Sequence, residues 1–509
     1  MSVIHADAHA LRASRRVLRE RADRPRASDV AYRAYVTVLV GVIVLIPFGR
    51  AVVLTMAASL ATDGVPPAAV AAGGSLLCLG LFLAGAVCGP AFVSMPYLNA
   101  VVDSSIDRRL TLRRAQLRGQ IIVMVSVAAV AALAVMAASS VTVVGAVAAP
   151  VAAAALGSIA GSLWLAGQLR PPWWVTLIIS VWLVAAAGAG FVPAVSDLAT
   201  WVAPGGWAAQ VGAGTVGAGM PQSALSVSTL LALGLLIVTA AVGWLVAGSW
   251  RRRLRRDELA RQARRWSVVA ALSLSADVSS ATRVLATPAH GGRHWNWTIG
   301  RTAASTIVRR DVAGLLRAPA RTATAAVACV GLGALVGWAA GGVFAVLAAV
   351  LLYFAVGGWA TGLRTAASSV GAATFYGLAD RERLLLHTIV PGVASLAFCA
   401  AGAALTGGVG GAIWAAALAL FVVLLQGFAS LRGALPSYLL TPIPSPVGDL
   451  AIVNVLVWMA DAVLLTAVFG GIGTYLVASI PAAAALALIG GVVIAAFWAG
   501  ARLRHRTRG

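Results

Sequence analysis

Long apolar runs alternate with short polar segments along almost the whole chain. A helix needs about 20 apolar residues to cross the hydrocarbon core of a bilayer. The runs predict spans at 34–61, 68–98, 120–138, 141–167, 173–193, 229–249, 322–340, 343–362, 388–406, 409–431, 450–471 and 474–500. The pattern therefore predicts an all-α, polytopic membrane protein with about 12 transmembrane helices, arranged as two halves of six.

The predicted spans divide the chain into five parts. These are an amphipathic N-terminal segment (1–33), a first half (34–249), a polar linker with an amphipathic helix (250–320), a second half (321–500) and a tail (501–509). A constant shift of 273 positions aligns the halves without a gap. It pairs Gly89 with Gly362, Asp107 with Asp380, Arg108 with Arg381 and Gly119 with Gly392. Internal repeats of this kind are typical of transporters, and six spans per half favour parallel repeats.

Composition places the chain in the membrane and charge orients it there. The 509 residues are 60% hydrophobic and only 11% charged, with a mean hydropathy of +0.92. All 38 Lys+Arg residues are arginine, and with the N-terminus inside, all except Arg50 fall in inner segments. Because cytoplasmic loops retain positive charge, we expect a bacterial plasma membrane protein with both termini in the cytoplasm. The arginines behind the net charge of +22 lie next to the spans, so they predict contact with the lipid bilayer and not with nucleic acid.

An amphipathic helix is expected ahead of each half. In the linker, Ala304, Val308 and Leu315 share one side, and Arg309 and Arg310 fall on the other. The N-terminal segment repeats this in a narrower form around Leu11, with arginines beside it. Such helices lie at the headgroup boundary. A solvated arginine-rich helix that only sets topology is the alternative.

The absence of lysine bears on the energy source. A P-loop requires a lysine that reaches the terminal phosphates of a bound nucleotide. The chain therefore has no ATPase site of that type, and no catalytic residue, cofactor or metal is predicted. We expect a membrane protein that is not itself an enzyme.

Four features in order resemble the permeases of type-two ABC exporters. They are an amphipathic helix before six spans, Gly89-Pro90 after the second span, an Asp-Arg-Arg turn at 107–109, and WVAPGGWAA at 201–209 before the sixth. The resemblance implies a fused pair of six-span units that exports a hydrophobic or amphiphilic substrate, with separate ABC ATPase subunits docked on the cytoplasmic face. The second half departs from the pattern, because Gly362 lacks a following proline and Glu382 replaces an arginine.

Charged inner loops are the candidate contacts with such an ATPase. The coupling candidates are Asp107, Arg108, Arg109, Arg113 and Arg114 in the first half, and Asp380, Arg381, Glu382 and Arg383 in the second. Ion pairs between a charged loop and a partner fix register more than affinity. The alternative is structural, since inner loops carry arginine for orientation and an aspartate can cap a helix.

Two ionisable residues inside predicted spans are candidates for the translocation path. Asp461 falls near the middle of the eleventh span, where a carboxylate is costly unless it is paired, protonated or facing a cavity. Packing between helices is the alternative. Arg50 falls inside the first span, and it either attracts an anionic substrate group or extends to the outer boundary.

The main rival function is an ion-coupled secondary transporter of the major facilitator type. Such carriers also have six plus six spans, and GLADRER at 377–383 partly matches their loop motif. The match falls in the second half, whereas the first-half loop lacks the required glycines. A membrane enzyme is a third class, disfavoured because clustered carboxylates or histidines at a membrane face are missing.

Overall fold

The computed structural model describes most of the chain as helix. The described residues are 67–137, 143–189, 196–215, 226–274, 296–337, 342–372, 377–433 and 451–508, with short stretches between 7 and 35 and between 439 and 449. Arg50, most of the predicted span 34–61 and the middle of the linker lie outside these residues. Within them, one short antiparallel pairing joins Pro444–Ser445 to Gly448–Asp449.

The chain folds as two compact units, Met1–Ser267 (unit 1) and Val268–Gly509 (unit 2). The described helices of unit 1 are α1 (Pro67–Gly85), α2 (Met95–Tyr97), α3 (Arg108–Thr111), α4 (Arg113–Ala137), α5 (Val143–Gln168), α6 (Trp173–Ala189), α7 (Ser196–Val202), α8 (Pro204–Thr215), α9 (Val227–Arg253) and α10 (Arg256–Leu274). A π-helical turn at Leu98–Val102 follows α2. The last helix, α10, crosses the boundary between the units, and its buried Leu259 and Ala260 belong to a core cluster of unit 1.

Unit 2 is also built from helices. Its described helices are α11 (Ala303–Leu316), α12 (Pro319–Gly337), α13 (Gly342–Gly357), α14 (Thr361–Ser368), α15 (Asp380–Ser430), α16 (Ala451–Leu465), α17 (Ile472–Leu476) and α18 (Pro481–Arg508). A 3-10 turn at Asn296–Thr298 precedes them, and a π-helical turn at Thr466–Gly471 joins α16 to α17. Shifting α1 by 273 positions gives 340–358, which nearly coincides with α13. The repeat of the two halves as a whole stays a prediction.

The helices are those of a multi-pass membrane protein. Six described helices are long and apolar enough to cross a membrane, or up to eight if each of two bent helix pairs counts as one span. Two further apolar helices, Val70–Gly85 and Trp174–Ala189, are shorter. Large apolar side chains point outward from α4, where Ile122 is 66% and Met136 79% exposed. An apolar surface of this kind is typical of a helix that faces lipid or another protein. The count of twelve spans stays a prediction.

One long helix accounts for two of the predicted spans. The 51 residues of α15 would extend about 76 Å as a straight helix, far more than a bilayer is thick. Gly408 interrupts it with φ 58° and ψ −151°, a conformation that glycine adopts readily. The interruption falls in the predicted gap between 406 and 409.

Small residues allow the helices of unit 2 to pack closely. A β-carbon at Gly333 of α12 would lie 2.3 Å from the carbonyl oxygen of Cys399, and one at Gly402 of α15 would lie 2.0 Å from that of Val330. Only glycine fits such contacts, which is the usual way that membrane helices approach each other. Cys329 and Cys399 lie in the same core cluster as free cysteines.

Candidate functional site

The coupling candidates of unit 1 lie between the start of α3 and the first turn of α4. The π-helical turn Leu98–Val102 ends at Asp103, and Asp107 then begins α3. The side chain of Asp107 accepts a hydrogen bond from the backbone N–H of Arg109 at 2.9 Å. Asp107 is therefore a helix cap, a role that aspartate fills well.

Two ion pairs attach this turn to the junction of α9 and α10. Asp107 Oδ2 lies 2.7 Å from Nη2 of Arg252, and Asp103 Oδ2 lies 2.8 Å from Nη2 of Arg256. Hydrogen bonding to the Arg252 guanidinium lowers the pKa of Asp107, and that to Arg256 lowers the pKa of Asp103. Both carboxylates are thus charged at neutral pH. Exposed pairs are individually weak, but two parallel pairs fix the register of the segments they join.

A hydrogen bond and an apolar cluster complete the attachment. Nη1 of Arg108 donates to the carbonyl oxygen of Leu254 at 2.9 Å. The side chain of Leu254 is buried in a core cluster with Val102 and Leu112. We call residues 97–118 and 250–266 the arginine-rich end of unit 1. Sequence reasoning missed Asp103, Arg252 and Arg256, because the partners in the two pairs are 145 and 153 residues apart.

The remaining unit 1 candidates face away from the protein. Arg109, Arg113 and Arg114 are all exposed, and so is Arg118 one helical turn after Arg114. The turn therefore presents a cluster of cations on a support that its own Asp107 and Arg108 hold in place. The arrangement separates residues that hold the turn from residues that can contact a partner.

A buried acid secures α10 to the rest of unit 1. Glu258 is 5% exposed and pairs with Nε of Arg170 at 2.8 Å and with Nη2 of Arg261 at 2.6 Å. Arg170 lies at the corner between α5 and α6 with a φ of 49°, which is uncommon for a residue other than glycine. It also donates to the carbonyl oxygen of Ala86. No sequence motif indicated Glu258.

Two buried glutamines continue this attachment. Oε1 of Gln168 accepts from the backbone N–H of Ala91 at 3.2 Å, and its Nε2 donates to Oε1 of Gln262 at 2.9 Å. A β-carbon on Gly89 would lie only 2.2 Å from Oε1 of Gln168, so the glycine of the Gly-Pro pair makes room for this amide. Buried polar contacts thus join α5 and α10 to the turn that follows α1.

The N-terminal segment contributes to the same end. Leu11 is buried and packs with Val101 and Ile106 in one cluster. The backbone N–H of Asp107 donates to a carboxylate oxygen of Asp7 at 3.4 Å. The apolar side of the N-terminal segment is predicted to meet lipid headgroups. In the structure, its Leu11 packs against the loop before α3.

The equivalent turn in unit 2 is held differently. Asp380 begins α15, accepts from the backbone N–H of Gly371 at 3.0 Å, and pairs with Arg383 at 2.8 Å. Arg383 also donates to the carbonyl oxygen of Ser369 at 3.0 Å. Asp380 therefore pairs within its own helix, whereas its repeat counterpart Asp107 pairs with α9.

The exposed candidates of unit 2 have mixed charge. Arg381 and Glu382 are both exposed, and Glu382 accepts from the backbone N–H of Ala379 at 3.3 Å. Leu385 is 58% exposed one turn later. The two turns thus present unlike surfaces, one cationic and one mixed.

Asp461 has two partners that its sequence context did not reveal. One carboxylate oxygen contacts Nη2 of Arg432, and the other contacts Nη2 of Arg502. Arg432 follows α15 and Arg502 lies near the end of α18, so the pairs join α16 to the ends of two other helices. Asp461 is 8% exposed. The structure thus places it in a contact between helices.

Comparison with known proteins identifies no relative. Neither a family model, nor a curated protein, nor a solved structure matches this chain. Its function has to be inferred from its own residues.

Proposed function

We propose that the chain is the membrane permease subunit of an ATP-dependent exporter, which moves a hydrophobic or amphiphilic substrate outward with a separate ATPase. The observation that carries the proposal is the arginine-rich end of unit 1. There, Arg109, Arg113 and Arg114 are exposed on a turn that ion pairs, a cap and an apolar cluster attach to α9 and α10. A force applied to such a turn passes into membrane helices.

The second support is the lack of an energy source within the chain. Without lysine it has no P-loop, so ATP would be hydrolysed by another subunit. In the threading predicted from the arginines, the exposed cations face the cytoplasm, where such a subunit can reach them. An acidic groove on the ATPase is the complementary surface.

The third support concerns the rival carrier function. A proton-coupled or cation-coupled carrier uses membrane acids that bind and release the coupling ion. Both oxygens of Asp461 contact guanidinium groups, so neither is free for a coupling ion. This favours an exporter driven from outside the chain.

Copurification tests the proposal. The full chain, carrying an affinity tag, is isolated in detergent from the membranes of its source cell, and we expect a P-loop ATPase to accompany it. Arg109→Glu combined with Arg114→Glu should reduce the recovered ATPase by about tenfold or more, because two cations that face the partner are reversed. Arg504→Glu, an exposed change in α18, is the control.

Three results would count against the proposal. They are the absence of any ATPase, equal recovery with the double variant and the control, and export that follows a proton gradient when ATP is depleted. The last result would support the major facilitator alternative.

A further inference from the structure

Two arginines of unit 2 lie beside one glycine-containing turn. The turn joins the end of α13 at Gly357 to the start of α14 at Thr361. A β-carbon at Gly357 would lie 2.8 Å from Nη2 of Arg364, and one at Gly358 would lie 3.9 Å from Cγ of Arg321. The side chains of both arginines therefore lie against the same turn.

These arginines are poorly compensated. Arg364 donates from Nη2 to Oε1 of Gln426 at 3.2 Å. Nε of Arg321 is buried and has no hydrogen-bond partner among the described residues, and neither arginine forms an ion pair with a described acid. Oγ1 of Thr361 is likewise buried and without a partner in the described chain. The turn therefore carries unused donors as well as unbalanced charge.

Two described carboxylates of unit 2, Asp311 and Asp461, each have a partner on at least one oxygen. Asp311 lies beside Gly362, but its Oδ2 is 2.7 Å from Nδ1 of His387. Asp461 is shared between Arg432 and Arg502. Two half-buried like charges without a counter-charge are costly, and an anion held between them would remove that cost.

Geometry and location favour a phosphate group as that anion. The planar guanidinium presents paired N–H donors that match the oxygens of phosphate. Ala360 is the N-cap residue of α14 and provides no side-chain cap. The positive end of the α14 dipole therefore adds to the attraction for an anion. Arg321 lies in the first turn of α12, directly after the sharp bend from α11. α11 is amphipathic, with Ile307 buried and Arg309 exposed, and the junction of such a helix with a spanning helix lies at the membrane boundary.

We propose that Arg321, Arg364 and the hydroxyl of Thr361 form a binding site for a phosphate-bearing anion at the membrane boundary, supplied by a phospholipid headgroup or by free phosphate. None of the coupling candidates belongs to this site, although α14 also packs against Leu384. It does not depend on the exporter function proposed above.

Thermal unfolding of the full chain in neutral detergent micelles tests the site. Phosphatidylglycerol is compared with diacylglycerol of the same acyl chains, which differs by lacking the phosphate headgroup, and inorganic phosphate is tested alone. We expect phosphatidylglycerol to raise the melting temperature of the wild type more than diacylglycerol does. Arg321→Gln and Arg364→Gln should each weaken this binding by about tenfold or more, because each removes charged donors, whereas Arg504→Gln, an exposed arginine of the same unit, should not.

Comparing phosphatidylglycerol with inorganic phosphate identifies the source of the anion. Stabilisation by phosphatidylglycerol alone assigns the site to a lipid headgroup, and equal stabilisation by inorganic phosphate assigns it to the free anion. Equal responses of the wild type and both site variants to every additive would overturn the proposal.

Stability without phosphate distinguishes binding from a structural role. In phosphate-free micelles, Arg321→Gln should be at least as stable as the wild type, because an uncompensated charge has been removed. A lower melting temperature of Arg321→Gln in every mixture, with an unchanged response to phosphatidylglycerol, would show a structural contact and overturn the proposal.

Discussion

Replacing Asp461 by asparagine should strongly destabilise unit 2. Asparagine keeps the shape of the side chain but removes its charge, which leaves Arg432 and Arg502 without a counter-charge. Both arginines are also held by backbone, since Arg432 donates to the carbonyl oxygen of Met459 and Arg502 to that of Phe428. They cannot easily turn to water, so we expect a loss of about 3 to 5 kcal/mol in the free energy of unfolding.

Denaturant titration in mixed micelles, followed by tryptophan fluorescence, measures this loss. Asp103→Asn is the matched control, because it breaks an exposed pair with Arg256 and should cost less than about 1 kcal/mol. Adding Arg432→Met to Asp461→Asn should recover part of the stability, since one uncompensated charge is removed. A loss for Asp461→Asn no larger than that for Asp103→Asn would refute the reasoning.

Two further predictions concern unit 1. The stability that Asp107 contributes is measured as the difference in the free energy of unfolding between the wild type and Asp107→Asn. It should be fully present above pH 3.8, the ordinary pKa of aspartate, and be lost as the pH falls through the lowered pKa of Asp107 in the folded protein. A contribution that grows on acidification would contradict the pairing with Arg252. Gly205→Val should reduce the yield of folded protein on size-exclusion chromatography, because a β-carbon there would lie 2.2 Å from the carbonyl oxygen of Ala71, whereas Gly212→Val, with open space around it, should not. Equal yields would contradict the close contact of Gly205 in α8 with Ala71 in α1.

Apolar run length predicted where most of the described helices lie, because crossing a bilayer sets both the length and the composition of a segment. The break between the spans 388–406 and 409–431 falls at Gly408. Gly407 and Gly408 add no polar side chain to the run, but Gly408 allows a backbone conformation that interrupts the helix. The runs 68–98 and 343–362 were harder to delimit. Each includes the end of a helix and a turn that remains apolar, so hydropathy does not mark where the helix stops.

The candidate site was predictable only in part. The Asp-Arg-Arg turn is indicated by its residues, and α3 does begin there. Its partners Arg252 and Arg256 could not be identified, because a sequence shows neither which arginine of a cluster faces inward nor how distant segments meet. The same holds for Asp461, whose partners are 29 and 41 residues away and whose helix rotation no pattern specifies.

The orientation of the arginine-rich end decides whether an ATPase can reach the exposed cations. Single cysteines at Ser105, in the turn before α3, and at Ser228, in the first turn of α9, are exposed positions in a chain whose own cysteines are replaced. A membrane-impermeant maleimide applied to intact cells should label Ser228→Cys at once and Ser105→Cys only after the membrane is permeabilised. Labelling of Ser105→Cys in intact cells would place the cations outside and contradict the account.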